Sequence, residues 1–411
     1  MRISGGFGAR VRELRRIRGL TQAELGGEAY TGSYISYLES GRRTPTEDVA
    51  RYIARRLAVD PSELGIGGAA SMGTDLAIAS QLMVADRHLH TCEWDEALAA
   101  ARNAESVARS SGRMDRAWEC RFMQCRILIE SEQFAEGAEL AVELADDAAF
   151  NSASVVQGDA LTLAARGMRS VGRLDEALQH ATAALRYAPD LIRRAEALLQ
   201  VVAVRAVLGD PFAEWADTVE AIEEVATQLP RGHLLGRIYW TLGNIYHQQG
   251  DIERGERCHG EAAQLITSSV DLILWSRLHR VIAHHRLLRG VTDGVAEQLA
   301  QAENAMTLTG RITDLVELWV DSARLSLMEG DLEAGLIRVR GALDHDAMRV
   351  PCPPRAAAYE LLGEILLAKG DAGGARAAYR AVATDYEAMG APARALDAWR
   401  RAATVPDGEA D

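Results

Sequence analysis

From residue 74 onward the chain returns to the same local pattern at a nearly fixed interval, and this period constrains the fold more than any other feature. Trp94, Phe134, Leu174, Phe212, Ile252, Thr292, Leu332 and Ala372 occupy equivalent places in turn signals such as CEWDEAL, GRLDEAL, GDIERGE and GDLEAGL, at intervals of 40, 40, 38, 40, 40, 40 and 40 residues. Such a period is the signature of a solenoid, whose repeats bury their apolar faces only against their neighbours. Apolar residues at helical spacing on either side of each turn make the unit a helical hairpin. In RIYWTLGNIYHQQGD (237–251), an amphipathic helix is closed by a Gly-Asp turn, with Trp240, Asn244 and His247 off its apolar side. Eight hairpins account for about residues 74–390. Ala393 to Ala403 reads as a capping helix, and TVPDGEAD (404–411) as a frayed acidic tail.

Composition agrees with this reading. Apolar residues make up 48% of the chain but aromatics only 5%, so the cores are built from Ala, Leu and Val, which let helices approach closely. No run of 18 apolar residues is present and the first residues lack a signal-peptide core, so no membrane association is expected. The five cysteines then read as reduced thiols of a cytoplasmic protein. The net charge of −14 is divided unevenly. Residues 1–64 carry 11 Arg and 8 Asp or Glu, whereas residues 65–411 carry 34 basic and 51 acidic side chains. A basic head on an acidic body implies two tasks, with a polyanion as partner of the head only.

The head, residues 1–64, is dense in helix signals. Phe7, Val11 and Leu14 mark one helix face, and TQAE places Thr21 and Glu24 as a capping box. TPTE (Thr44, Pro45, Glu47) and DPSE (Asp60, Pro61, Glu63) repeat the device. TGSYISYLESG supplies a short helix from about Gly32 to Ser40, and Val49, Ile53 and Leu57 a further apolar stripe. The expectation is five short helices. LGIGGAASMG (64–73) reads as a Gly-rich linker, 65–73. Its formal G-x-G-x-x-A follows a helix rather than a strand, so it is not a nucleotide fingerprint.

LTQAELGGEAYTGSYISYLESGRRTP resembles the helix-turn-helix of the XRE/lambda-repressor-like family. The resemblance rests on Thr-Gln-x-Glu-Leu opening the second helix, Ile-Ser-x-x-Glu on the third and the Gly-Arg-Arg-x-Pro exit. It implies a third helix that enters the DNA major groove. Gly32, Ser33, Ser36 and Tyr37 would face bases, Gln22 would bond a phosphate, and Arg42 and Arg43 would neutralise phosphates. Ile35 and Leu38 would be core. Gly32 stands where many members carry a longer polar side chain, which shifts weight toward DNA shape. Tyr34 and Tyr37 can instead pack inside the head, and Arg12, Arg15 and Arg16 can form a solvated face. One head buries little surface, so a homodimer on two half-sites of an operator is expected.

Tyr239-x-x-Leu242-Gly243-x-x-Tyr246 with Gly250-Asp251 resembles the tetratricopeptide repeat, as do Tyr359-x-x-Leu362-Gly363-x-x-Leu366 with Gly370-Asp371 and the helix GRLDEALQHATAALRYAP. The whole chain is thus expected to be all-α, a helix-turn-helix domain followed by a tetratricopeptide-like solenoid over 74–403. The resemblance implies that the first helix of each repeat lines a concave face, with the residue two after the Leu of Leu-Gly pointing inward. The period carries that position to Asp86, Arg126, Arg166, Val204, Asn244, His284, Arg324 and Glu364. Neighbouring positions add Arg237, Trp240, Arg277 and Arg280. Guanidinium groups suit carboxylates and phosphates, and Asn suits a peptide backbone. The candidate ligand set is Arg126, Arg166, Arg237, Trp240, Asn244, Arg277, Arg280, His284 and Arg324. These arginines can also pair with acids on adjacent helices, for which Asp159, Glu119 and Glu317 are available.

Together the two resemblances look like the peptide-responsive RRNPP-type regulators, whose repeats bind a short signalling peptide of the quorum-sensing kind. They imply a transcription regulator that senses a short peptide or other small anionic ligand; the alternative is a scaffold that docks proteins in its groove. No Walker loop, HExxH or G-x-S-x-G is present, and His88, His90 and Cys92 have no matching ligand pair. No enzyme activity, cofactor or metal is expected.

Overall fold

A computed structural model describes residues 7–43, 45–64, 68–147 and 154–406. Among them are 21 α-helices and no strand. The chain divides into two compact units, Met1–Met83 with Asn103–Ala117, and Val84–Arg102 with Trp118–Asp411.

The first unit contains the head: α1 (Phe7–Ile17), α2 (Gln22–Gly26), α3 (Gly32–Glu39) and α4 (Glu47–Arg56), with a 3-10 turn (Pro61–Leu64) where a fifth helix was expected. Thr21 and Glu24 form the capping box, Glu24 N–H donating to Thr21 Oγ1 at 3.1 Å and Thr21 N–H to the Glu24 carboxylate at 2.7 Å. Helix α4 is capped by Thr46, which accepts from Val49 N–H at 3.4 Å. Thr44, proposed for that role, lies outside the described residues. Val11, Leu25, Ile35, Leu38, Ile53 and Leu57 form the core, each at most 1% exposed. A Cβ on Gly8 would sit 2.2 Å from the Leu38 carbonyl oxygen, so glycine there lets α1 lie against α3. The segment 68–73, expected as linker, is instead the start of α5 (Gly68–His90); 65–67 lie outside the described residues.

The repeats follow as paired helices: α5 with α6 (Trp94–Ser110), α7 (Met114–Glu130) with α8 (Phe134–Ala145), α9 (Ser154–Ser170) with α10 (Leu174–Arg186) and α11 (Leu191–Leu208) with α12 (Ala216–Gln228). Then come α13 (His233–Gln248) with α14 (Ile252–Leu265), α15 (Leu272–Leu288) with α16 (Val295–Thr309), α17 (Ile312–Met328) with α18 (Leu332–Leu343) and α19 (Pro353–Ala368) with α20 (Ala372–Ala388). Helix α21 (Pro392–Thr404) caps the stack. Six of the eight turn positions are the first residue of the second helix; Phe212 opens a 3-10 turn before α12, and Thr292 precedes α16 by three residues.

The Gly-Asp signal has a direct physical meaning. Gly250, Gly330 and Gly370 turn through φ of 79°, 82° and 83°, where L side chains are strained. The following Asp caps the next helix, as when Asp371 accepts from Gly374 N–H at 2.8 Å. In the first two repeats Cys92 (φ 58°) and Glu132 (φ 67°) occupy the glycine place. The Leu-Gly pair also has a role. A Cβ on Gly243 would lie 2.2 Å from His259, and one on Gly363 2.7 Å from Tyr379, so glycine lets the second helix of the hairpin press a ring onto the first.

The second unit winds back on itself. Arg311, at the start of α17 and 1% exposed, donates to the Glu130 carbonyl at the end of α7, and Thr313 N–H donates to the Glu132 carboxylate at 3.0 Å. Further along, Arg394 of α21 donates to the Ala206 carbonyl of α11 at 3.0 Å.

Candidate functional site

In the head, α3 buries Ile35 and Leu38 and leaves Ser33 and Tyr37 exposed, with Ser36 half-exposed between them. Thr31 caps this helix by accepting from Tyr34 N–H at 3.3 Å. Gly32 serves the crossing of α2 and α3: a Cβ there would lie 3.2 Å from the Ala23 backbone nitrogen. Arg42 and Arg43 are exposed just beyond α3, and the Arg43 guanidinium stands 5.1 Å from the Tyr34 ring centroid. Tyr34 is half-buried and stacks on Tyr30 at 5.3 Å. Gln22 donates to Glu39 Oε2 at 2.8 Å rather than standing free. That carboxylate is fully buried and also accepts from Arg15, 3.0 Å at the second nitrogen. Burial opposes its charge, but the bonds from Arg15 and Gln22 and the charges of Arg15 and Arg12 hold it below the ordinary glutamate range. Arg12 and Arg15 are therefore organised by an acid, and only Arg16 of the three lacks such a bond among the described residues.

The second unit encloses a cavity of about 1410 Å³, walled mainly by α7, α9, α11, α13 and α15. Small-molecule sites commonly span ~300–1,000 Å³, so this one has room for a larger ligand. Arg126, Arg166, Arg237, Trp240, Asn244 and Arg277 all line it. Arg280, His284 and Arg324, proposed with them, do not. Arg280 pairs with Glu317 and with Asp321 at 2.8 Å, His284 Nδ1 meets Asp321 at 2.6 Å, and Arg324 pairs with Glu364 at 2.8 Å. Val204, at the same repeat position, is fully buried beside Leu208 and Val382.

The lining arginines are tied by acids of the neighbouring repeats. Arg166 pairs with Glu130 at 2.7 Å, Arg237 with Glu196 at 2.6 Å and Arg277 with Asp314 at 2.8 Å, while Arg126 stands 3.9 Å from Asp86. Asp159 pairs with Arg193 at 2.8 Å instead of with Arg166. Glu130 joins this ladder to the contact that closes the winding. Burial raises its pKa, but the charges of Arg166, Arg311 and Arg277 win and bring it down to about 2.

Asn244 sits among histidines. Its Oδ1 lies 3.0 Å from His259 Nε2 and 3.3 Å from His285 Nε2, and His247 stacks on His285 at 4.2 Å. Burial and the neighbouring imidazole push His259 down to about 4; burial and three histidines push His285 down to about 2. Neutral imidazoles that each donate Nε2–H to one oxygen leave the Asn244 amide N–H groups for the cavity.

Arg169 also lines the cavity and was not among the candidates. Stepping by the period selects one residue per helix, and Arg169 lies one turn past Arg166. The i, i+3, i+7 stripe that gave Arg237, Trp240 and Asn244 falls on Asp159, Thr162 and Arg166 in α9, so only its extension by one more turn would have reached Arg169. Among the described residues no group of three or more His, Cys, Asp or Glu is placed to hold a metal ion, and no helix is long and apolar enough to cross a membrane. His90 Nδ1 meets the Asp86 carbonyl at 2.7 Å and His88 Nδ1 meets Glu93.

A capped two-helix crossing with an exposed third helix, and a stack of hairpins with a cavity along their first helices, define a helix-turn-helix protein with an α-solenoid. Residues 7–65 match the family model of a helix-turn-helix domain, and residues 236–265 match that of a tetratricopeptide repeat. The chain therefore carries a helix-turn-helix domain and tetratricopeptide-like helical hairpins. No curated protein matches it in sequence. Among solved structures, a Rap protein complexed with competence and sporulation factor superposes with a TM-score of 0.53 at 11% identity, over 80% of this chain and 97% of that one, a likeness of fold. PlcR of Bacillus thuringiensis in complex with the peptide PapR7 and DNA matches at a TM-score of 0.38 and 14% identity, covering 63% and 93%. ComR of S. thermophilus in complex with DNA and its signalling peptide ComS matches at 0.33 and 12%, covering 75% and 99%.

Proposed function

We propose that this protein is a cytoplasmic, non-enzymatic transcription regulator that binds operator DNA as a homodimer and senses a short peptide or other small anionic ligand in its repeat cavity. The observation that carries the reading is the cavity of about 1410 Å³, lined by arginines, Trp240 and Asn244, on a chain that also holds a helix-turn-helix domain. Ser33, Ser36 and Tyr37 read base edges. Gln22, Arg42 and Arg43 hold phosphates, and Gly32 lets the reading helix dock on α2. The ligand acts by binding one dimer arrangement better than another.

Genome-wide DNA capture, followed by footprinting with and without cell extract, tests the reading. Arg43→Ala should weaken all sequences alike and lower the salt slope by about one, while Ser33→Ala should weaken some sequences more than others. Unchanged affinity of both variants at moderate salt would refute the assigned DNA face. Normal partner capture by a full-length Arg43→Ala chain that no longer binds DNA, with no effect of extract on the wild-type footprint, would favour the scaffold instead.

A further inference from the structure

The arginines on the cavity wall are not alike. Arg126, Arg166, Arg193, Arg237 and Arg277 each have a carboxylate within 4 Å. The Arg169 side chain has no ion pair and no hydrogen bond among the described residues, and its Nε is covered without a partner. Arg166 and Arg277 are close enough to repel it. Burial and these two charges outweigh the attraction of Glu317 and bring its pKa down to about 10. A cation left without a direct partner in a folded wall destabilises the fold. Buried polar groups in proteins are generally satisfied, so an exception points to a missing partner. The same cavity is lined by a second exception: Gln200, 5% exposed, whose Oε1 has no partner. The same cavity lining also leaves apolar surface open, with Ile192, Val270 and Leu308 60–79% exposed.

We propose that Arg169 is the anion anchor of the cavity: its guanidinium takes the two oxygens of a ligand carboxylate, while apolar groups of the same ligand cover Ile192, Val270 and Leu308. This rests on the cavity being the ligand site. A bidentate pair requires the planar guanidinium, and Arg169 is the cavity arginine whose geometry is not already spent on an acid of the protein. The apolar contacts add affinity without direction. The ligand class is a short apolar peptide or similar chain with one free carboxylate.

The test uses the full chain and three pools of random hexapeptides that lack Asp and Glu. The first has free C-termini, the second amidated C-termini, and the third amidated C-termini with one Glu restored. Retention is measured by mass spectrometry for wild type, Arg169→Gln and Arg169→Lys. Wild type should retain the first or third pool over the second by about tenfold or more, the size of a charge-assisted hydrogen-bond pair. Arg169→Gln should lose the preference, and Arg169→Lys should keep only part of it. Which of the two acidic pools is retained tells a terminal carboxylate from a side-chain one. Equal retention of all pools by wild type, or a preference unchanged in Arg169→Gln, overturns the anchor while leaving the cavity as the ligand site. Retention of no pool removes the peptide reading of the cavity and the anchor with it. Removing an unpaired charge should leave the unfolding midpoint of Arg169→Gln equal to or above that of wild type, so a loss of folding would also count against the proposal.

Discussion

Arg311 donates to the carbonyl of Glu130, 181 residues earlier in the chain, and thereby joins the seventh repeat to the second. A solenoid is ordinarily stabilised by nearest neighbours alone. Here a guanidinium only 1% exposed lies between the Glu130 and Glu132 carboxylates and bonds Asp314 at 2.7 Å. Removing one partner of such a group leaves buried charges uncompensated. Arg311→Met should therefore cost about 3–5 kcal/mol and make unfolding less cooperative, since repeats on either side of the contact lose their long-range tie. Urea unfolding followed by far-ultraviolet circular dichroism measures both. A midpoint within error of wild type would mean that the contact does not hold the winding.

The close helix approach within hairpins gives a second, paired expectation. Gly363 has Tyr379 where a Cβ would go, at 2.7 Å, and Tyr379 is itself buried. Gly363→Ala should destabilise by roughly 1–3 kcal/mol through overpacking. Gly341, in α18, has nothing within 4 Å of the added atom. Gly341→Ala should stabilise by about 0.5–1 kcal/mol, because alanine loses less backbone entropy in a helix. Thermal unfolding of the two variants side by side decides. Shifts of the same sign would remove the steric account of the Leu-Gly pair.

Much of this arrangement is legible from residues because the repeat is written in local chemistry. A left-handed glycine followed by a capping Asp defines a helix boundary wherever it recurs, which is why the period located the turns even where Cys92 and Glu132 replace the glycine. Arg237, Trp240 and Asn244 line the cavity together for the same reason, a helix having one inward face. What local pattern does not carry is curvature. The tie from Arg311 to Glu130 joins repeats that lie 181 residues apart and that no period brings together. Arg280 shares the register of Trp240, and His284 and Arg324 that of Asn244, yet they lie outside the cavity and end in ion pairs with Asp321 and Glu364. In the head, Thr46 caps α4, and the Gly-rich stretch from residue 68 is helical against its weak local propensity.

The histidines around Asn244 make stability depend on pH. His259 and His285 titrate near 4 and 2 in the fold, against about 6.5 when exposed in an unfolded chain. Below about 6.5 the unfolded chain therefore binds protons that the folded one refuses, and stability falls as pH drops toward 4. The slope is about 1.4 kcal/mol per pH unit for each histidine. Arg289 and Glu256 flank His247, and Asp321 flanks His285, so the slope belongs to the cluster rather than to one ring. His259→Gln, which keeps a donor for Asn244, should flatten the dependence between pH 6.5 and 4.5. Chemical denaturation at half-unit steps reads it, and parallel curves for the two proteins would rule out this origin.

The buried carboxylate of the head titrates with the opposite sign of charge. Glu39 is held below the ordinary glutamate range by Arg15 and Gln22, so its contribution is complete above the unfolded value of about 4.3 and is lost as pH falls through the lower folded value. Glu39→Gln retains an acceptor but removes the charge that organises Arg15, Arg12 and Gln22. With Arg15 only 13% exposed on its side chain, the stranded guanidinium should cost about 3 kcal/mol. The same change frees Gln22 at the start of α2, so DNA affinity should fall through loss of head order rather than through a phosphate contact. The distinction is measurable: the affinity of Glu39→Gln should recover on cooling toward the head's temperature of maximum stability, while that of Arg43→Ala should not. A variant that keeps wild-type stability at pH 7 and the wild-type acid limb would show that Arg15 and Gln22 do not depend on the charge.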